Sequence, residues 1–194
     1  MKKRQFINII LFVFIAVAGT FADLASKYAV FAALGLPGEY RWKEEPECNA
    51  VYWIWDGVFG FQTSLNQGAL FGMGQGRSGL FAVFSVIALF GIFIWLFHSA
   101  KKSRFLVFTL GLITAGIIGN FYDRLGWHGL VWHYSDKLHN IGDPVYAVRD
   151  WILVMLGSYP YPNFNIADSM LVCGAILLMI QAVFFDGKSQ TAKQ

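Results

Sequence analysis

Two aspartates stand at the edges of apolar runs in the C-terminal part of the chain. Asp150 precedes the run Trp151 to Leu156, and Asp168 is the only charged residue between Ile166 and Phe185. A carboxylate at the mouth of an apolar helix is costly to keep ionised, which marks it as a group with a task. A short connection containing Pro160 and Pro162 separates the two runs, so the chain can fold back and bring both carboxyls to one membrane surface. Two facing carboxyls can share a proton and activate water, the logic of an aspartic protease. Asn165 lies three residues before Asp168, within one helical turn if that end is helical. There it would orient a carboxyl or bind a peptide backbone.

The elements that must position these groups follow from composition and charge. The 194 residues are 56% hydrophobic and 14% charged, too apolar for a soluble domain, and the apolar residues fall in blocks of spanning length. The expected fold class is an α-helical integral membrane protein. It has four transmembrane helices and a small extramembrane β-rich region on the outer face. The spans are placed at about residues 5–34, 80–97, 105–122 and 166–185, with outer loops 35–78 and 123–165, in one membrane-embedded domain covering 1–194. The second and third runs, Leu80 to Phe97 and Phe105 to Tyr122, are each eighteen residues without a charge. The basic start Met1-Lys2-Lys3-Arg4 also suits a cleaved signal peptide ending near Thr20-Phe21-Ala22. The run Phe6 to Ala22 is long for such a segment, however, and helical character continues through Asp23 and Lys27, four apart and on one face.

Within the first outer loop, Val51 to Ser64 is rich in aromatic and β-branched residues with Gly57 and Gly60, the pattern of short strands and a turn. Asn66 and Gly68 continue it into a glycine-rich approach to the second span. Basic residues crowd the N-terminus, the loop 98–104 and the C-terminal tail, which places both termini in the cytoplasm. Asp23, Asn66, Asn120, Asp123, Arg124, Asp150, Asn165 and Asp168 then all lie toward the outer face. Cys48 and Cys173 sit in a polar loop and an apolar block respectively, so no disulfide or redox site is expected. His128, His133 and His139 share a polar loop with Asp136 and Asp143, yet without HExxH or tight ligand spacing. A solvated loop is the expectation there, with no metal.

Five short motifs together resemble the lipoprotein signal peptidases, the signal peptidase II family. They are Asp23-x-x-x-Lys27, Asn66-x-Gly68-Ala69-x-Phe71, Gly119-Asn120-x-x-Asp123-Arg124, Val148-x-Asp150-x-Ile152 and Phe164-Asn165-x-Ala167-Asp168. The resemblance implies an aspartic endopeptidase with Asp150 and Asp168 as its catalytic pair. It maps substrate-binding polar residues onto Asp23, Asn66, Asn120, Arg124 and Asn165, with Lys27 and Gly68 in support and Asp123 as a structural partner. The implied substrate is a diacylglyceryl-modified prolipoprotein, cut just before its lipidated cysteine in the bacterial inner membrane. No cofactor and no nucleic acid are implied; membrane lipids are the other partners, and a monomer is expected. Leu24, Leu70, Arg149 and the long loops 36–53 and 125–147 depart from the family's pattern. Arg149 would lower the Asp150 pKa unless it points away into headgroups.

Taken singly, each polar residue has a plainer reading. Asp23 with Lys27 suits a helix-surface ion pair, and Asn165 and Asp168 suit a helix N-terminus. Two rival functions remain at this level. A transporter or proton-conducting protein would also use intramembrane carboxylates, though spaced through the bilayer rather than gathered on one side. A metal-dependent membrane protease would be built on the loop histidines.

Overall fold

The computed structural model describes residues 2–37, 50–68, 74, 76–99, 103–135 and 138–186. Four helices carry it: α1 (Lys2–Leu34), α2 (Ser78–Ser99), α3 (Arg104–Arg124) and α4 (Ile166–Gln181), the last running into a π turn at Ala182–Asp186. All four are long and apolar enough to cross a membrane. The chain is an α-helical integral membrane protein with a small antiparallel sheet. Helix α1 is unbroken through Thr20-Phe21-Ala22.

Helix α3 is the inner helix of the bundle. In its most apolar stretch 61% of residues are buried, against 17–22% in the other three helices. Small residues line it, among them Thr109, Gly111, Thr114, Ala115, Gly116 and Gly119, all buried. Without large side chains between them, helix backbones approach closely, and this packing replaces the hydrophobic drive that is missing in lipid. A Cβ added at Gly116 would lie 2.6 Å from the Ala167 carbonyl oxygen, and one at Gly119 would collide with the Asp23 carboxylate. The bundle as it stands therefore has no room for a side chain at these two positions. Ser103 caps α3, its Oγ accepting from the Leu106 N–H at 3.2 Å.

The sheet joins β1 (Tyr52–Trp55), β2 (Phe59–Asn66), β3 (Val148–Leu156) and β4 (Tyr159–Pro160), all antiparallel and in that order. The turn between β3 and β4 is two residues, with Gly157 at φ +66°, a conformation that suits glycine in a tight hairpin. Trp151 anchors the sheet to the bundle. It clusters with Phe31 and Leu36 at the end of α1, and its ring meets Phe61 edge-on at 5.0 Å.

The segment 125–147 is less solvated than its composition predicts. Trp132, Val145 and Ala147 form a buried cluster, tied by a bridge between Val131 and Pro144. His128 is buried, its Nδ1 accepting from the Leu130 N–H at 3.1 Å, and burial pushes its pKa down. His139 stacks on Trp132 with ring centroids 3.7 Å apart, while His133 is exposed. Aromatic stacking and burial, not solvation, hold two of the three histidines.

Candidate active site

Strand β3 presents Arg149 and Asp150 to opposite faces, because side chains alternate along a strand. Asp150 pairs with Ser64 across the sheet and is 2% exposed. Residues after β4 return along β3: the Phe164 carbonyl accepts from the Trp151 and Ile152 N–H groups at 3.0 and 2.9 Å, and the Phe164 N–H donates back to Ile152 at 3.2 Å. This return brings Asn165 to Asp150, with Asn165 Nδ2 donating to Asp150 Oδ1 at 2.6 Å.

Asn165 is also the N-cap of α4. Its Oδ1 accepts from the Asp168 N–H at 2.9 Å, and Asp168 Oδ2 accepts from the Asn165 N–H at 3.3 Å. This reciprocal capping box aims the Asp168 side chain back toward the start of the helix. One asparagine thus touches both carboxyl residues.

The second asparagine comes from α3. Asn120 Nδ2 donates to Asp168 Oδ1 at 2.8 Å, and its Oδ1 accepts from Lys27 Nζ at 3.1 Å and from Asn165 Nδ2 at 3.1 Å. An ammonium group has only donors, so Lys27 compels the Asn120 oxygen to face it and the amide nitrogen to face Asp168. Lys27 is itself 0% exposed and pairs with Asp23 at 2.7 Å and Asp123 at 3.1 Å. Three N–H donors meet three acceptors, which removes the penalty of burying the charge unpaired.

Above this layer lies a cavity of about 350 Å³ whose wall includes Asn66, Asn120, Arg124, Asp150 and Asp168 together with Tyr161, Phe164, Val172 and Cys173. Arg124 Nη2 donates to the Gly68 carbonyl at 3.1 Å and Nη1 to the Asn120 carbonyl at 3.5 Å. Its guanidinium lies over the Phe81 ring at 5.6 Å. Asn66 Oδ1 accepts from the Gly68 N–H at 2.9 Å, and the Asn66 side chain hydrogen-bonds Asp150. Burial, and next the charge of Asp168, push the Asp150 carboxyl up to about 8. Burial thus favours the protonated form of Asp150.

Five of the sequence-predicted residues reach the cavity wall: Asn66, Asn120, Arg124, Asp150 and Asp168. Asn165 is fully buried between the two aspartates, and Gly68 contributes its backbone to Arg124 and Asn66. Asp23 is fully buried and absent from that wall; its Oδ1 accepts from the Ala167 N–H at 2.9 Å. Asp123 is equally buried. Asp23 and Lys27 are thus no surface ion pair.

Arg149 follows neither sequence expectation. It points away from Asp150, not into headgroups but into the protein, at 1% exposed. Its Nε and Nη2 donate to Asp123 Oδ1 at 3.0 and 2.8 Å, and its guanidinium stacks on Tyr28 at 4.4 Å. Sequence reasoning missed Tyr28 and this role of Arg149. Only the alternation of a strand through Asp150 would have hinted that Arg149 faces inward. Ala69, Leu70, Phe71, Asp136 and Cys48 lie outside the described residues. Among the described residues, no three His, Cys, Asp or Glu side chains gather as a metal centre, and Cys173 is a free, exposed thiol.

A membrane-spanning bundle and a small sheet, with two carboxyls on one cavity, define an integral membrane protein. The family model described as signal peptidase (SPase) II matches residues 15–184. A lipoprotein signal peptidase of Rhodopirellula baltica is 46% identical over 177 residues, 89% of this chain and 71% of that one. That of Bacillus subtilis is 34% identical over 137 residues, covering 71% and 77%. A bacterial membrane enzyme solved at 2.3 Å resolution shares the fold, with TM-score 0.70 and 23% identity over 94% of this chain and 91% of that one. The chain belongs to the signal peptidase II family, and it is a membrane protease.

Proposed function

We propose that this protein removes signal peptides from diacylglyceryl-modified prolipoproteins as an aspartic endopeptidase, cutting just before the lipidated cysteine. Membership of the signal peptidase II family supports the reaction. The observation that carries the aspartic mechanism is the pair Asp150 and Asp168, facing one cavity and each receiving an asparagine amide. Asp168 takes a proton from water, whose oxygen attacks the scissile carbonyl carbon. Asp150, protonated, donates a hydrogen bond and then its proton to the carbonyl oxygen as the tetrahedral intermediate forms. Collapse breaks the C–N bond, the proton on Asp168 passes to the departing amine, and the oxygen returns its proton to Asp150. The pair titrates as a unit, so the two roles belong to one coupled system.

Asn66 and Arg124 position the peptide. Asn66 terminates a strand beside Asp150, and Arg124 Nε makes no hydrogen bond although both Nη groups do. The apolar part of the wall, with Val172 and Phe164, adjoins the membrane-spanning α4 and suits acyl chains. The protein works as a monomer, one membrane-embedded domain in the bacterial inner membrane, with both termini cytoplasmic and the cavity toward the outer face. The basic residues of the N-terminus and of the segment 98–104 support this orientation. The deciding experiment is cleavage of a purified, lipidated precursor by the wild type, Asp150→Asn and Asp168→Asn. Loss of cleavage in both folded variants is expected, and near-normal cleavage by either would remove the dyad.

A further inference from the structure

We propose that Arg149 is a positioning residue for the dyad, acting through the buried carboxylate of Asp123; the inference rests on Asp150 and Asp168 being the catalytic pair. The residue immediately before each aspartate is held by its backbone N–H to a fully buried carboxylate. Arg149 N–H donates to Asp123 Oδ2 at 3.0 Å, and Ala167 N–H donates to Asp23 Oδ1 at 2.9 Å. Lys27 Nζ joins both clamps, at 3.1 Å from Asp123 Oδ2, the oxygen that also takes the Arg149 N–H, and at 2.7 Å from Asp23 Oδ2, the oxygen that the Ala167 N–H leaves free. The two catalytic backbones are thereby tied to one ammonium group, and this sets the spacing of the carboxyls above it.

The two clamps differ in how they are oriented. On the Asp168 side the helix cap already fixes the backbone. On the Asp150 side the Asp123 carboxylate has to be turned so that one oxygen faces both Lys27 and the Arg149 N–H. The Arg149 fork supplies that: Nε and Nη2 take Asp123 Oδ1 together, leaving Oδ2 for the other two donors. Both fork donors converge on one oxygen, so with Oδ1 held by the guanidinium and Oδ2 by Lys27 and the Arg149 N–H, the carboxylate is fixed at both ends; a lysine ammonium supplies a point charge without the two fixed donors. Tyr28 holds the fork in turn, its ring under the guanidinium at 4.4 Å and its hydroxyl 2.9 Å from that of Tyr122. Arg149 does not reach the cavity wall, so it has no route to substrate.

The test compares wild type, Arg149→Met, Arg149→Lys and Asp123→Asn on a purified lipidated precursor, with folded enzyme counted by monodisperse elution in detergent. For Arg149→Met we expect kcat per folded molecule to fall about tenfold to a hundredfold with KM within about twofold, since geometry is lost but the cavity wall is intact. Arg149→Lys restores the charge without the fork, and kcat should recover only in part. Asp123→Asn, combined with Arg149→Met, should add little to the larger single loss, because both act through one carboxylate. A lower yield of folded protein with kcat unchanged would make Arg149 merely structural and overturn the proposal, as would full recovery in Arg149→Lys or a loss confined to KM. Should Arg149→Met not fold, Arg149→Lys and Asp123→Asn carry the same comparison. Failure of the dyad itself reads differently, as retained cleavage by Asp150→Asn.

Discussion

At the level of single residues, the proposed mechanism turns on one carboxyl that keeps its proton more readily than the other. Asp150 is the buried member, and burial together with Asp168 raises its pKa to about 8. As pH rises through about 8 the proton is lost, so kcat should fall on the alkaline side, measured as a pH–rate profile on the lipidated precursor. The same shift carries a stability consequence of defined sign. A carboxyl that binds its proton more tightly folded than unfolded stabilises the native state fully below about pH 4, its unfolded pKa. That contribution declines as pH rises and is gone above about 8. Asp150→Asn cannot ionise, so its apparent Tm should decline less than that of the wild type between about pH 5 and 9. Catalytically, Asp150→Asn and Asp168→Asn should each cost at least about a thousandfold, and the double variant little more, because paired groups fail as a unit. Additivity of the two losses would argue for independent roles.

At the level of elements, the cavity rests on close helix approach around α3. Gly119 abuts the Asp23 carboxylate and Gly116 the Ala167 carbonyl, so a methyl at either must displace backbone or a buried ion pair. Gly116→Ala and Gly119→Ala should destabilise by about 1–3 kcal/mol, read as lower Tm in detergent, with cleavage reduced further because Ala167 and Asp23 hold the dyad. Gly91→Ala on α2, where an added Cβ meets nothing within 4 Å, is the matched control and should be neutral. The loop histidines belong to this scale too. His128 and His139 are packing residues, so replacing either by Ala should lower Tm while sparing cleavage per folded molecule, and exposed His133 should tolerate the change. Full chelation should leave cleavage intact; loss restored by zinc would favour a metalloprotease instead.

At the level of the whole molecule, the orientation in the membrane decides whether the cavity meets exported precursors. Single cysteines at 4 and 104 should resist an impermeant reagent added from outside, while those at 56 and 135 should react, in a background without Cys48 and Cys173. The reverse pattern would put the cavity on the cytoplasmic side and sink the assigned substrate. An unlipidated precursor should be cut poorly, because each buried acyl CH₂ contributes about 0.8 kcal/mol to holding the substrate at the membrane. Equal rates for lipidated and unlipidated precursors would count against the acyl-binding role of the wall.

Much of this was legible because it depends on local properties. The length of an apolar run against bilayer thickness determined the four spans, and capping residues such as Asn165 announced the start of α4 from neighbouring positions. Val148–Leu156 was harder: a short apolar run reads equally as helix or strand, and it resolves only when β2 and the returning Phe164 pair with it. The partners that this strand gives its side chains were closed to the sequence. Its register sends Asp150 into the cavity and Arg149 to Asp123, so the neighbouring cation is spent on a different carboxylate. Asp23 looks like half of a surface ion pair until α3 and α4 close over it. The types and spacing of the polar residues were thus set by the chain itself. Which carboxyls face the cavity, and which hold a backbone behind it, was decided by packing, because the surroundings of a buried group are a property of the packed assembly and not of any stretch of sequence.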